Sequence, residues 1–401
     1  MEKATAKGLH FTSGQYAPIR RTGFLTVASD EFRAEDGKKA MTSMNARGIT
    51  ATFNPLGIFL RRWQLDEVKI ESGDVGIQTY APKPEPTSAK PWYSIFLPNR
   101  VYMKRVESEP VDVTWRLRGK RSGFFATRLL ITPHGRDFNY QATGGTLKMA
   151  LLSDLRLRQT RFLITKKLLT LHNLELTPLE ENGGLIHAEG RAGIGADRSV
   201  DFKLKFDHIP VRAWLPTTWR EHVAGEASGK VHWTGENPKL ESSSGNGGVQ
   251  VRGGRVVGLP FLEKLATITT KKAIEELELN ECSAEVEWHY RKIDIRNIAI
   301  EDKGKFRIEG ALSIDDESLG GAIQLGAARE YLGWLPNAEE VFTREQAGYV
   351  WTTIHLSGTM SEPKQDLSER VIDVLKQSPG AFLGLIFRQV GDWLKNAFDE
   401  E

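Results

Sequence analysis

Residues 168–206 and 292–327 repeat one another, and this constrains the fold more than any other feature, because two copies of one pattern must satisfy one architecture. The first copy leads to Trp214-Leu215-Pro216 and the second to Trp334-Leu335-Pro336, 120 residues later. Glu189-Gly190 and Glu309-Gly310 keep the same separation, whereas Asn173 and Asn297 fall 124 apart, which places a small indel in the intervening hairpin. Beyond each triplet the likeness continues. Val231-His232-Trp233-Thr234-Gly235 before Pro238-Lys239 corresponds to Ile354-His355-Leu356-Ser357-Gly358 before Pro363-Lys364. Three aligned blocks in one order make chance a poor explanation.

Each copy reads as short strands separated by Gly, Asn and Asp turns. In residues 283–301, Val286, Trp288 and Tyr290, then Ile293 and Ile295, then Ile298 and Ile300 occupy every second position, with one slip at each turn or bulge. In residues 200–206, Val200, Phe202, Leu204 and Phe206 alternate with Asp201, Lys203 and Lys205. Such a strand has one apolar and one charged side, so its sheet has one dry face and one wet face. The expected fold is mainly β. It is an elongated, bent antiparallel sheet or groove of repeated strand units, with a few short helices and a C-terminal helical segment.

Composition agrees and excludes several classes. Apolar residues make up 40% and charged residues 26%, enough for a packed core. With 54 Lys and Arg against 52 Asp and Glu, there is no broad basic field for nucleic acid. Residues 100–128 do interleave Lys104, Arg105, Arg116 and Arg121 with Tyr102, Trp115, Phe124 and Phe125, a mixture that single-stranded nucleic acid can use. The favoured reading is a pair of strands, 111–119 and 123–131, with a charged outer side. The single cysteine, Cys282, rules out an internal disulfide or a thiolate metal cluster. The opening fifteen residues lack the apolar run of a signal peptide, and no segment approaches the roughly 20 apolar residues of a membrane span. An anchor trimmed from a longer protein remains open.

The rest of the chain divides around the repeats. Residues 1–90 read as an N-terminal β unit closed by the proline-rich stretch 81–91, residues 91–255 as repeat one and residues 256–366 as repeat two with a leading helix. Residues 367–401 read as an amphipathic helical segment broken at Ser378-Pro379-Gly380. Two further helices are expected: about two turns over 54–62, where Asn54 caps, Pro55 opens and Arg61-Arg62 close, and a longer one over 259–279.

Catalytic and metal-binding patterns are lacking. There is no phosphate loop, HExxH, CxxC, GxSxG or calcium loop. His187-Ala188-Glu189 matches half of a zinc deaminase signature without its cysteine pair. Glycines 190–195 and 245–254 fit hairpin turns and bulges better than an anion loop. Asp315-Asp316 and Glu180-Glu181 fall in turns. No cofactor, metal or catalytic residue is expected.

The stretch from Gly253 to Thr269, then residues 283–316, then the closing Gly358-Thr359-Met360-Ser361-Glu362-Pro363 resemble the C-terminal region of AsmA-like proteins, a group that includes TamB and YhdP. Residues 65–80 are similar to that group's N-terminal unit, with Gly73 where proline is frequent. The resemblance implies a repeating β-groove with an apolar concave side, held in the bacterial envelope by an N-terminal membrane helix. It also implies that phospholipid is conducted between inner and outer membranes. This chain is short and begins without that anchor, which suits a module, an assembly partner or an excised fragment rather than a bridge.

The expectation is thus a non-enzymatic envelope protein, periplasm-facing and associated with the inner membrane, that binds phospholipid or another acyl-chain lipid in transport or outer-membrane biogenesis. Phe202, Leu204, Phe206, Val286, Trp288, Ile295, Ile298 and Ile300 line the groove in this reading. Leu383, Ile386, Phe387 and Trp393 close its end or dock on a membrane or envelope protein partner. The alternatives are a scaffold whose core is conventionally filled and, third, a glycan-active enzyme with a carboxylate pair.

Overall fold

The computed structural model describes residues 11–37, 41–57, 59–60, 62–77, 101–117, 120–135, 137–149, 152–165, 167–179, 183–193, 198–215, 220–236, 242–258, 275–359 and 362–376. The fold is mainly β, and the chain divides into two compact units, Met1–Arg198 and Ser199–Glu401. No helix among the described residues is long and apolar enough to cross a membrane.

The first unit opens with β1 (Phe11–Tyr16), β2 (Arg20–Arg21), β3 (Thr26–Gly37), β4 (Met41–Phe53) and β5 (Trp63–Ile77). Strands β1 and β2 both pair with β3, which pairs with β4, and β4 with β5, all antiparallel. One side of this sheet is a filled core of Phe11, Phe32, Ala34, Ala46, Ile49, Ala51, Leu65 and Val68. Alternation produces it: Phe32 faces Ala46, and Val27 faces Ala51, which in turn faces Val68.

Strands β6 (Val101–Met103), β7 (Val106–Ser108) and β8 (Val111–Leu117) lie parallel to β5, which requires a crossover. The chain then continues as an antiparallel series through β9 (Lys120–His134), β10 (Asp137–Thr143), β11 (Thr146–Met149), β12 (Leu152–Ile164), β13 (Leu168–Pro178) and β14 (Leu185–Gly193). The expected pair over 111–131 is β8 against β9.

The second unit holds β15 (Val200–Pro210), β16 (Val223–Gly235), β17 (Ser243–Val257), β18 (Glu276–Leu279), β19 (Glu281–His289), β20 (Lys292–Asp302), β21 (Phe306–Asp315) and β22 (Ser318–Ala327). After these come β23 (Arg344–Gln346), β24 (Tyr349–Gly358) and β25 (Pro363–Gln365). Pairing follows chain order, with β18 and β19 sharing β17 as partner and β23 folding onto β24. Helix α1 (Ala338–Val341) and helix α2 (Leu367–Lys376) are short.

The duplication is visible as element order. Strands β13, β14 and β15, a 3-10 turn at Val211–Ala213, and β16 correspond to β20, β21 and β22, a 3-10 turn at Arg329–Tyr331, and β24. Each first strand bulges at the same point, between Leu171 and Leu174 and between Ile295 and Ile298.

Two helical expectations are corrected. Among the described residues of 54–62 there is a 3-10 turn, Pro55–Gly57, in place of the two helical turns expected. Asn54 does cap, its Oδ1 accepting from the Leu56 amide at 3.1 Å. However, Gly57 is a weak helix former, and so short a segment cannot recover the cost of nucleation. At the end of the second expected helix, Glu276–Leu279 is a strand pairing with β17, since Glu-Leu-Glu-Leu is itself a period-two pattern. Residues 259–274 lie outside the described residues. The helix expected from residue 367 is present as α2.

Candidate functional site: the apolar face of the second unit

Register decides which side chains share a face, because residues directly opposite in an antiparallel pair project the same way. One row crosses the sheet from Phe202 to Trp233, Gly245, Trp288, Ile293, Ile314 and Leu319. The next runs from Leu204 through Val231, Gly247, Val286, Ile295 and Leu312 to Gly321 and Leu356. A third begins with Phe206, Gly229, Val249 and Ala284.

The structure therefore brings six of the eight sequence-selected residues into these three rows. The other two, Ile298 and Ile300, stand beyond the β20 bulge, facing Gly310 and Ile308, and return to the same side because the bulge inserts one residue. Asn297 sits at that bulge with φ +51 and donates through Nδ2 to Glu285 Oε2 at 2.8 Å. Tyr290 departs from the alternation: it occupies the β19–β20 turn with φ +55 and is exposed. Leu383, Ile386, Phe387 and Trp393 lie outside the described residues.

Sequence reasoning left out Trp233, Val231, Leu312, Ile314 and Ile323, which stand on the same face. Their strands alternate too, but only register shows that they extend the rows.

Aromatic rings fill the places that glycines leave. A Cβ at Gly245 would meet the Trp288 ring at 2.3 Å, and one at Gly229 would meet the Phe206 ring at 2.6 Å. Phe202 and Trp233 stack with centroids 5.9 Å apart, and Phe206 meets Trp214 edge-on at 5.0 Å. The indole N–H groups of Trp233 and Trp288 are buried without a hydrogen-bond partner among the described residues.

The face is dry but incompletely covered. Phe202, Leu204, Val231, Trp233, Val286, Trp288, Ile293, Ile295, Leu312 and Ile314 are half-buried rather than buried. Contacts between elements are chiefly those of neighbouring strands. One end is closed. Ala327, Leu332, Leu335, Val341, Phe342 and Val350 form a buried cluster to which Trp334, Leu367 and Val371 add, so α1, the first turns of α2 and the second Trp-Leu-Pro segment cover that end.

The opposite face is ionic. Arg307 bonds Glu301 at 2.8 Å, Glu309 at 2.6 Å and Glu281 at 3.0 Å, and these acids raise its pKa further, the Glu309 hydrogen bond most. Arg296 reaches Glu287 at 3.1 Å, and His232 meets Asp201 at 2.9 Å. Tyr349 donates to Glu301 at 2.8 Å. Cys282, opposite Ile300 on the apolar side, has its thiol pKa raised by burial. Among the described residues no group of three or more His, Cys, Asp or Glu gathers where it could hold a metal.

Comparison with protein-family models, with curated proteins and with solved structures returns no match to this chain.

Proposed function

We propose that this chain is a non-enzymatic, lipid-binding protein of the bacterial cell envelope, akin to the AsmA-like group. In this reading it faces the periplasm in association with the inner membrane. It holds the acyl chains of a phospholipid against the apolar face of the second unit, in lipid transport or outer-membrane biogenesis.

The carrying observation is the pair of cross-strand rows, continuous from β15 to β22, whose apolar side chains are half-buried while the reverse face carries ion pairs. An acyl chain needs a dry strip and no directional partner, and each methylene buried contributes about 0.8 kcal/mol. Rows of Leu, Ile, Val and Trp without a polar side chain suit that cargo.

The test is acyl-chain contact. Phospholipids brominated on the acyl chain should quench the fluorescence of the purified protein, and less so after Trp233→Phe with Trp288→Phe. Leu204→Asp with Val286→Asp, which places charges in the second row, should abolish uptake. Quenching indifferent to all four substitutions, or lipid-free protein by native mass spectrometry after mild extraction, would reject the cargo.

A specific observation favours a second reading for part of the first unit. The side of β3–β5 that holds Phe32, Ile49 and Leu65 is packed with buried protein side chains, as a scaffold module would be.

A further inference from the structure

The first unit carries a separate apolar feature, which does not depend on whether the second unit holds lipid. We infer that its β2–β3 turn and β4–β5 loop together dip into the surface of an anionic phospholipid bilayer.

Register puts the two connections at one end of the sheet: Thr26 faces Thr52, and the Phe53 amide donates to the Leu25 carbonyl at 2.8 Å. Phe24 and Leu25 belong to the first connection, and Leu56, Phe59 and Leu60 to the second. Phe24 and Phe59 are each 86% exposed, Leu56 63% and Leu60 59%. Single exposed apolar groups are ordinary, but five of the nine large ones exposed among the described residues stand here.

Hydrogen bonds order these tips. Arg21 donates through Nε to the Gly23 carbonyl at 2.9 Å and through Nη2 to the Phe24 carbonyl at 3.2 Å. The Arg62 amide closes the loop on the Gly57 carbonyl at 3.0 Å, and Asn54 Nδ2 donates to Asp66 at 2.9 Å. The backbone of both tips is thus tied down where Phe24 and Phe59 stand exposed.

Charge identifies the occupant. Arg20, Arg21, Arg62 and Lys104 surround the tips. Arg20 pairs with Asp30 and Lys104 with Asp66. Arg21 is bonded to carbonyl oxygens, and Arg62 bonds the Gln64 amide oxygen at 2.7 Å and stacks on Tyr102 at 4.3 Å, so these two cations face no carboxylate in those contacts. Phenylalanine and leucine points ringed by arginine match the acyl and headgroup layers of an anionic leaflet. Two protruding points do not make the flat patch of roughly 800 Å² that a folded partner needs.

The experiment sediments the full chain with sucrose-loaded phosphatidylcholine vesicles, with and without about 30% phosphatidylglycerol. Expected are binding to the anionic vesicles that weakens with salt, and a fall of about tenfold or more for Phe24→Ser with Phe59→Ser. Both rings project into water, so an unchanged melting temperature should accompany that loss. Arg21→Gln with Arg62→Gln should weaken anionic binding several-fold. Leu204→Asp with Val286→Asp should sediment like the wild type, which separates this result from failure of the groove. Wild-type sedimentation of the Phe24→Ser, Phe59→Ser protein would overturn the inference. So would a wild-type dimer that this variant converts to monomer without changing vesicle binding.

Discussion

At Gly245 a methyl group would meet not only the Trp288 ring but also the His232 carbonyl oxygen, at 2.4 Å. Backbone cannot withdraw as a side chain can, so Gly245→Ala should lower stability by about 1–3 kcal/mol, read as a shifted urea midpoint. Gly320→Ala, with nothing within 4 Å of the added carbon, is the control and should stay within about 0.5 kcal/mol. Asp66 supplies a pH-dependent counterpart. Hydrogen bonds from Lys104 and Asn54 hold its carboxyl below the usual aspartate pKa, against the upward push of burial. A depressed folded-state pKa stabilises above the unfolded value, and that contribution drains as pH falls through the lowered one. Asp66→Asn should therefore cost under about 1 kcal/mol at neutral pH, since solvent screens a carboxylate 38% exposed, and should nearly converge with wild type in strong acid. Denaturant melts at the two pH values check this. An equal difference at both would remove the carboxylate from the explanation.

Among elements, the β20 bulge carries the most information. Asn297 is the extra residue there: were the strand to straighten with Asn297 retained, Ile298 and Ile300 would turn to the ionic face and Ala299 and Glu301 to the dry one. Asn297→Val, which forces a β-branched residue to a positive φ, should thus be the most damaging change and Asn297→Gly, which keeps that φ, much milder, while deleting Asn297 leaves Ile295, Ile298 and Ile300 on one side and should cost less than Asn297→Val; proteolysis midpoints in urea would rank the three. The equivalent slip was readable in the sequence because Ile293, Ile295, Ile298 and Ile300 mark both sides of it. The rows themselves were not. A strand's own pattern says which of its residues share a side but not which strand lies next, and Gly245 and Gly247 interrupt the apolar signal where the Trp288 ring and the Val231 side chain fill the gap. The tip was misread for a related reason. Asn54, Pro55 and Arg61-Arg62 are helix start and stop signals, yet only a 3-10 turn forms at Pro55–Gly57 and Leu56, Phe59 and Leu60 stand exposed.

For the molecule as a whole, the division into two compact units coexists with one rule of construction: most strands pair with the strands next to them in sequence. If the second unit's face holds acyl chains, ligand must stabilise the folded state by mass action, and short-chain phospholipid at about 100 times its Kd should add roughly 2.7 kcal/mol. Thermal melts should rise with lipid concentration in the wild type and not in the Leu204→Asp, Val286→Asp protein; parallel behaviour of the two would count against binding on that face. The meander also bears on how such a chain could have arisen. A strand that answers only to its immediate partners tolerates the insertion of a further hairpin, since two added strands return the backbone to its heading with the dry side still dry. Growth by copying would leave the 120-residue echo seen here, and the reach of the protein becomes a ruler graduated in hairpins, free to lengthen while its surface chemistry stays constant.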